Sequence, residues 1–122
     1  SYQRIFKVNF KQPQAPQHLA FEPVNGQSVA LTWRVSNSAD VLGYEILRRE
    51  KGGTSFEPVN DEPVLNSGYF IDDQLKADHT YEYTIQTVDS SGNRSISGDT
   101  ISAWPTLPYQ TNFPAYLENK AI

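Results

Sequence analysis

The chain has 122 residues, of which 38% are hydrophobic, 20% charged and 12% aromatic, with a formal net charge of −4. That is enough chain to bury one core, and too little for a large barrel or a two-domain dinucleotide enzyme. Cysteine is absent, which excludes disulfides, thiolate zinc sites and cysteine nucleophiles, and the apolar runs are too short for a transmembrane helix or the core of a signal peptide.

In chain order, the first segment is basic. Residues 1–11 carry Arg4, Lys7 and Lys11 with no acid. Ile5, Val8 and Phe10 suggest a weak strand or an incoming linker, which Pro13 and Pro16 punctuate. Leu19 and Phe21 alternate before Pro23, and Asn25-Gly26 reads as a turn. Val29, Leu31 and Trp33 alternate with polar and small residues, the pattern of a half-buried strand with the tryptophan inward. After a polar loop over residues 37–40, Tyr44, Ile46 and the stem of Arg48 make the next inward set. Gly52-Gly53 breaks the chain. Phe56 and Val59 mark a short strand, and Tyr69, Phe70 and Ile71 another. Tyr81, Tyr83 and Ile85 alternate with Glu82 and Thr84. Residues 90–93 turn the chain, and a last strand is expected over 96–103 with Ile101 as its anchor.

The period is two nearly throughout, and β-branched and aromatic residues fill the runs. Seven short strands between turn signals predict an all-β antiparallel sandwich, in which each sheet hides one face against the other. The expected core is Leu19, Val29, Leu31, Trp33, Tyr44, Ile46, Tyr81, Tyr83 and Ile85. Residues 1–13 read as a basic linker, 14–103 as the domain, and 104–122 as a proline- and aromatic-rich segment.

Chemistry-bearing residues are sparse. Residues 57–89 hold eight acids against Lys76 alone, a balance that disfavours nucleic acid. Asp61-Glu62 and Asp72-Asp73 could be paired for glycoside hydrolysis, but neighbours on a strand point to opposite faces. They read as turn carboxylates. His18 and His79 lack metal-ligand spacing, and no GxSxG elbow presents a serine. Asp89-Ser90-Ser91-Gly92-Asn93 lacks the rest of a calcium loop and reads as a hairpin turn. No catalytic residue, metal or cofactor is therefore expected. Trp104, Tyr109, Phe113 and Tyr116 escape the strand pattern. They are the candidates for contact with a ligand or partner, and packing on the domain's own flank is the competing reading.

These residues carry a family resemblance. Pro16 and Leu19, Leu31-Thr32-Trp33, Gly43-Tyr44-Glu45-Ile46, Asp72 and Leu75, Thr80-Tyr81-Glu82-Tyr83, and the run from Val88 to Ser95 together resemble a fibronectin type III domain over residues 14–103. The run Val88-Asp89-Ser90-Ser91-Gly92-Asn93 is most similar to bacterial modules joined to secreted polysaccharide-degrading enzymes, surface proteins and phage structural proteins. The resemblance implies an immunoglobulin-like, seven-stranded topology, Trp33 between the sheets, a Tyr81 hydroxyl bonded to backbone near Leu75, and Leu75 itself as a core residue plugging the connection beneath the sandwich. It also implies a non-catalytic structural or spacer module of a larger extracellular or cell-surface protein, touching neighbouring domains. The alternative is a module binding protein or polysaccharide through the loops at Asn37, Gly52-Gly53 and Ser91-Gly92 and the tail aromatics. A fragment of an enzyme is the weakest alternative. Nucleic acid and membrane insertion are not expected. The integrin-type Arg-Gly-Asp tripeptide is absent.

Overall fold

Local side-chain chemistry sets the reversals that order the strands. Asn25 Oδ1 accepts the Gln27 amide at 2.8 Å, which closes the turn between β1 (Gln17–Asn25) and β2 (Ser28–Arg34). The polar loop over residues 35–40 leads into β3 (Val41–Glu50). Gly52, at φ 87, turns the chain toward β4 (Glu57–Pro58). The remaining strands are β5 (Tyr69–Asp72), β6 (Tyr81–Asp89) and β7 (Ile101–Ala103). The computed structural model describes residues 12–64 and 67–105. The weak strand expected around Ile5 and Phe10 lies outside them.

The strands form two antiparallel sheets. One has the order β1-β2-β5 and the other β4-β3-β6-β7. The register aligns inward residues across each sheet. Leu31 lies between Phe21 and Phe70, and Ile46 faces Ile85. Val29, Leu31 and Trp33 from one sheet meet Tyr44, Ile46, Tyr81, Tyr83 and Ile85 from the other, with Leu75 and Ala103 closing the cluster. All ten are buried. Leu19 is half-buried and packs on their margin. Burying one such aliphatic or aromatic side chain is worth about 1.5–3 kcal/mol, so this gap is the main source of stability.

Two strands differ from the sequence expectation, each for a local reason. The strand expected around Phe56 and Val59 forms regular pairs only at Glu57 and Pro58. Proline has no N–H for the ladder, and Asn60 replaces the missing strand. Its Oδ1 accepts the Ile46 amide at 2.9 Å, while its Nδ2 donates to the Tyr44 carbonyl at 3.0 Å. The last strand, expected from residue 96, begins at Ile101. Ser95 interrupts it: its Oγ accepts the Thr87 amide at 2.9 Å and donates to the Ile96 carbonyl at 2.8 Å. Ile96 is left 68% exposed.

The connections define two ends. Gln17 pairs with Arg34, and Val41 with Asp89, so the chain enters the fold beside the 35–40 loop and the 90–93 turn. Tyr81 faces both Glu50 and Ala103. The chain therefore leaves β7 at the opposite end, beside the β3–β4 turn.

Candidate binding surface

At the end where the chain enters, three segments converge around an open hollow of about 530 Å³. Its walls come from residues 12–14, from the loop over 37–40, and from Asp89 and Ser91. Backbone geometry fixes all three. Gly92 adopts φ 88, a conformation glycine takes without steric cost. Asp89 Oδ1 accepts the Ser91 amide at 3.0 Å and the Asn93 amide at 2.8 Å. The Ser90 amide donates to the Asp40 carbonyl at 2.9 Å, which ties the turn to the neighbouring loop. The Gln14 amide donates to Ser38 Oγ at 2.8 Å.

Asn37 and Ser91-Gly92, two of the loop positions singled out in the sequence, thus lie at the same end of the sandwich. Gly52-Gly53 lies at the other. There a second hollow of about 390 Å³ is bordered by Gly53, Arg48, Arg49 and Tyr81. Its arginines already have partners. Arg49 Nε is 2.8 Å from Glu82 Oε1, and its guanidinium sits 4.3 Å above the Phe56 ring. Arg48 Nη1 is 2.7 Å from Asp72 Oδ2.

Of the four candidate contact aromatics, only Trp104 falls within the described residues. Tyr109, Phe113 and Tyr116 lie outside them. Trp104 follows β7 and packs edge-on against Phe21 of β1, with centroids 5.0 Å apart and planes at 68°. It remains 49% exposed. About half of the residue thus rests on the domain while the rest faces outward.

The adjacent acids do not converge on a cleft. Asp61 and Glu62 are exposed, and Asp73 is exposed beside a buried Asp72. The Asp72 side chain retains 1% of its accessibility. Its Oδ2 accepts both Arg48 Nη1 and the Tyr83 hydroxyl, each at 2.7 Å. Burial pushes the Tyr83 phenol well above its ordinary value, and the bond to Asp72 adds to the shift. Burial alone would lower Arg48, but the hydrogen bond and charge of Asp72 outweigh it and raise the guanidinium. Sequence reasoning missed this trio. The available signal was Arg48 at an inward position on β3, because a cation on a core-facing position requires a counter-ion.

The Tyr81 hydroxyl accepts the Lys76 amide at 2.9 Å, directly after Leu75. His79 Nδ1 lies 3.0 Å from Glu50 Oε2. His18 sits exposed on β1 at φ 59, where the pairing register shifts between Gln17 and Ala20. Among the described residues, no group of three or more histidine or acidic side chains is placed to hold a metal ion.

Comparison with known proteins follows the same outline. The Fibronectin type III domain family matches residues 14–102. Exoglucanase B of Cellulomonas fimi is 29% identical over 99 residues, a stretch covering 79% of this chain and 8% of that protein. The chain therefore spans less than a tenth of that relative's length. A Fn3-like protein from Clostridium thermocellum superposes with a TM-score of 0.65 at 18% identity, over 80% of this chain and 96% of that one. The structure of titin kinase and its flanking domains gives a TM-score of 0.69 at 16% identity, over 89% of this chain and 20% of that one.

Proposed function

The chain belongs to the fibronectin type III family, and from that premise we propose that it is a non-catalytic spacer and contact module of a longer extracellular or cell-surface protein. The observation carrying this reading is the placement of its two connections. The chain enters at the end formed by the 35–40 loop and leaves at the opposite end, beside Glu50 and Tyr81. A stiff two-sheet body threaded this way holds whatever precedes it apart from whatever follows it.

Other features are consistent with that role. The trio of Arg48, Asp72 and Tyr83 joins the two sheets, with Asp72 and Tyr83 sealed from solvent. Trp104 stands half-exposed where the chain leaves, in position to touch a following domain. The match to exoglucanase B over a small fraction of its length supports a module within a larger chain. Fold alone does not assign a role, so the test must be biochemical.

The purified chain should turn over none of a panel of polysaccharides and esters, and should remain a folded monomer. Fusing reporter domains at both ends should give a narrow distribution of separations by fluorescence energy transfer. Turnover abolished by one point substitution would replace this reading with an enzymatic one. A broad distribution of separations would remove the spacer role.

A further inference from the structure

We propose that the hollow at the end where the chain enters is a binding site for a short neutral oligosaccharide. This does not depend on the spacer reading, since a spacer can also hold a ligand at one end.

The argument begins with unused hydrogen-bonding groups. Ser38 Oγ, Asp89 and the main chain of the loops are occupied in holding the walls together. The side-chain amides of Gln14 and Asn37, the Ser91 hydroxyl and Asp40 Oδ1 have no hydrogen-bond partner among the described residues. All four residues border the same hollow. Amides supply donors and acceptors side by side, the serine supplies either, and the carboxylate only accepts. A ligand matching that set must present both donors and acceptors at close spacing, as vicinal hydroxyl groups do.

The lining also excludes other classes. It contains Asp40 and Asp89 and no lysine or arginine side chain, so phosphates and uronic acids would be repelled. Its only apolar side chains are Pro13 and Ala39, and Pro13 is buried, which is too little to hold a greasy ligand. A volume of about 530 Å³ accommodates a few sugar rings. The walls are pre-set by the Asp89 turn and by the Ser90-to-Asp40 bond, so little ordering cost falls on binding. No aromatic ring lines the hollow to stack on a sugar face, and the affinity should be weak, on the order of millimolar.

The test is a titration of the isotopically labelled 122-residue chain, followed by amide chemical shifts. The probes are cellotetraose, xylotetraose and mannotetraose, with tetragalacturonate as the anionic control and a tetralysine peptide as the cationic one. The expected result is saturable shifts with at least one neutral sugar, confined to residues 12–14, 37–40 and 89–93. Tetragalacturonate should be silent. Asp40→Ala should weaken binding about tenfold, the equivalent of one charge-assisted hydrogen bond. Asn37→Ala removes an exposed side chain with no structural bond and should weaken it without disturbing the fold, which the spectrum itself reports. Absence of shifts with all three neutral sugars at millimolar concentration overturns the proposal. So does equal binding of tetragalacturonate, or a response to tetralysine alone. None of these outcomes bears on the separations measured for the spacer role.

Discussion

Arg48 on β3 reaches across the sandwich to Asp72 on β5, Nη1 to Oδ2 at 2.7 Å, and so bonds one sheet to the other through a charge pair buried at its Asp72 end. The Arg48 side chain keeps 26% of its accessibility and that of Asp72 1%. Removing one partner strands the other. Arg48→Met should cost about 3 kcal/mol, because Asp72 would stay buried without its counter-ion. Arg48→Met combined with Asp72→Leu and Tyr83→Phe, which leaves none of the three polar groups buried without a partner, should recover much of that loss. Urea denaturation of both variants measures the difference, and a triple variant less stable than Arg48→Met alone would contradict it.

Trp33 is 7% exposed and packs edge-to-face on Tyr44, with centroids 5.5 Å apart. Trp33→Ala should destabilise by about 3–5 kcal/mol, the cost of a large cavity with incomplete collapse. A loss under about 1 kcal/mol by thermal denaturation would be incompatible with a core position.

Tyr83 and Tyr44 both have their phenol pKa raised by burial, Tyr83 the more strongly. In the unfolded chain these groups ionise near pH 10. In the folded chain they hold their protons to higher pH. Below about pH 10 the contribution is fully present, and it is lost as pH rises from there through the folded values. Melting temperature should therefore fall above about pH 10. The slope should be shallower in Tyr83→Phe than in the parent, whatever the variant's stability at neutral pH. Parallel slopes would show that Tyr83 does not set the alkaline limit.

Two buried polar atoms lack a hydrogen-bond partner among the described residues, Trp33 Nε1 and Thr87 Oγ1. Thr87 is fully buried. Replacing its hydroxyl with a methyl group removes a desolvated polar atom and keeps the shape. Thr87→Val should be neutral or stabilising by up to about 1 kcal/mol. Chemical denaturation decides it, and a clear destabilisation would mean that the hydroxyl is bonded in solution.

Trp104→Ala should cost about 1 kcal/mol in the isolated chain, since the residue is half-exposed and its ring contact is a single edge-to-face one with Phe21. Fused to a following domain that contacts the indole, the same substitution should cost more. Comparing melting temperatures in the two settings isolates the contact.

How much of this was legible depended on the range of the interaction. Val29, Leu31 and Trp33 announce an inward face because each is two residues from the next, and the same holds for Tyr81, Tyr83 and Ile85. That periodicity is local, and it carried the sandwich. Asp72 looked like a turn carboxylate because its neighbour Asp73 is one. Its Oδ1 does accept the Gln74 amide two residues on, as a turn carboxylate would, but the partners of its Oδ2 are 24 and 11 residues away, on the opposite sheet. The start of β7 was missed because Ile96 has the right residue type, while the interruption comes from a single serine hydroxyl bonding to Thr87 and Ile96. The hollow was half legible. Asn37 and Ser91 read as loop residues, but their meeting with residues 12–14 required the paths of three strands.

Tension between the two connections would run along the strands. Pulling at Pro16 and Trp104 would slide β1 past β2 lengthwise, so several hydrogen bonds would have to fail together. The exception is at the top of β1. There the Gln17–Arg34 pair is separated from Ala20–Thr32 by the irregularity at His18. That first pair should yield alone, giving a little slack before the rest of the strand resists.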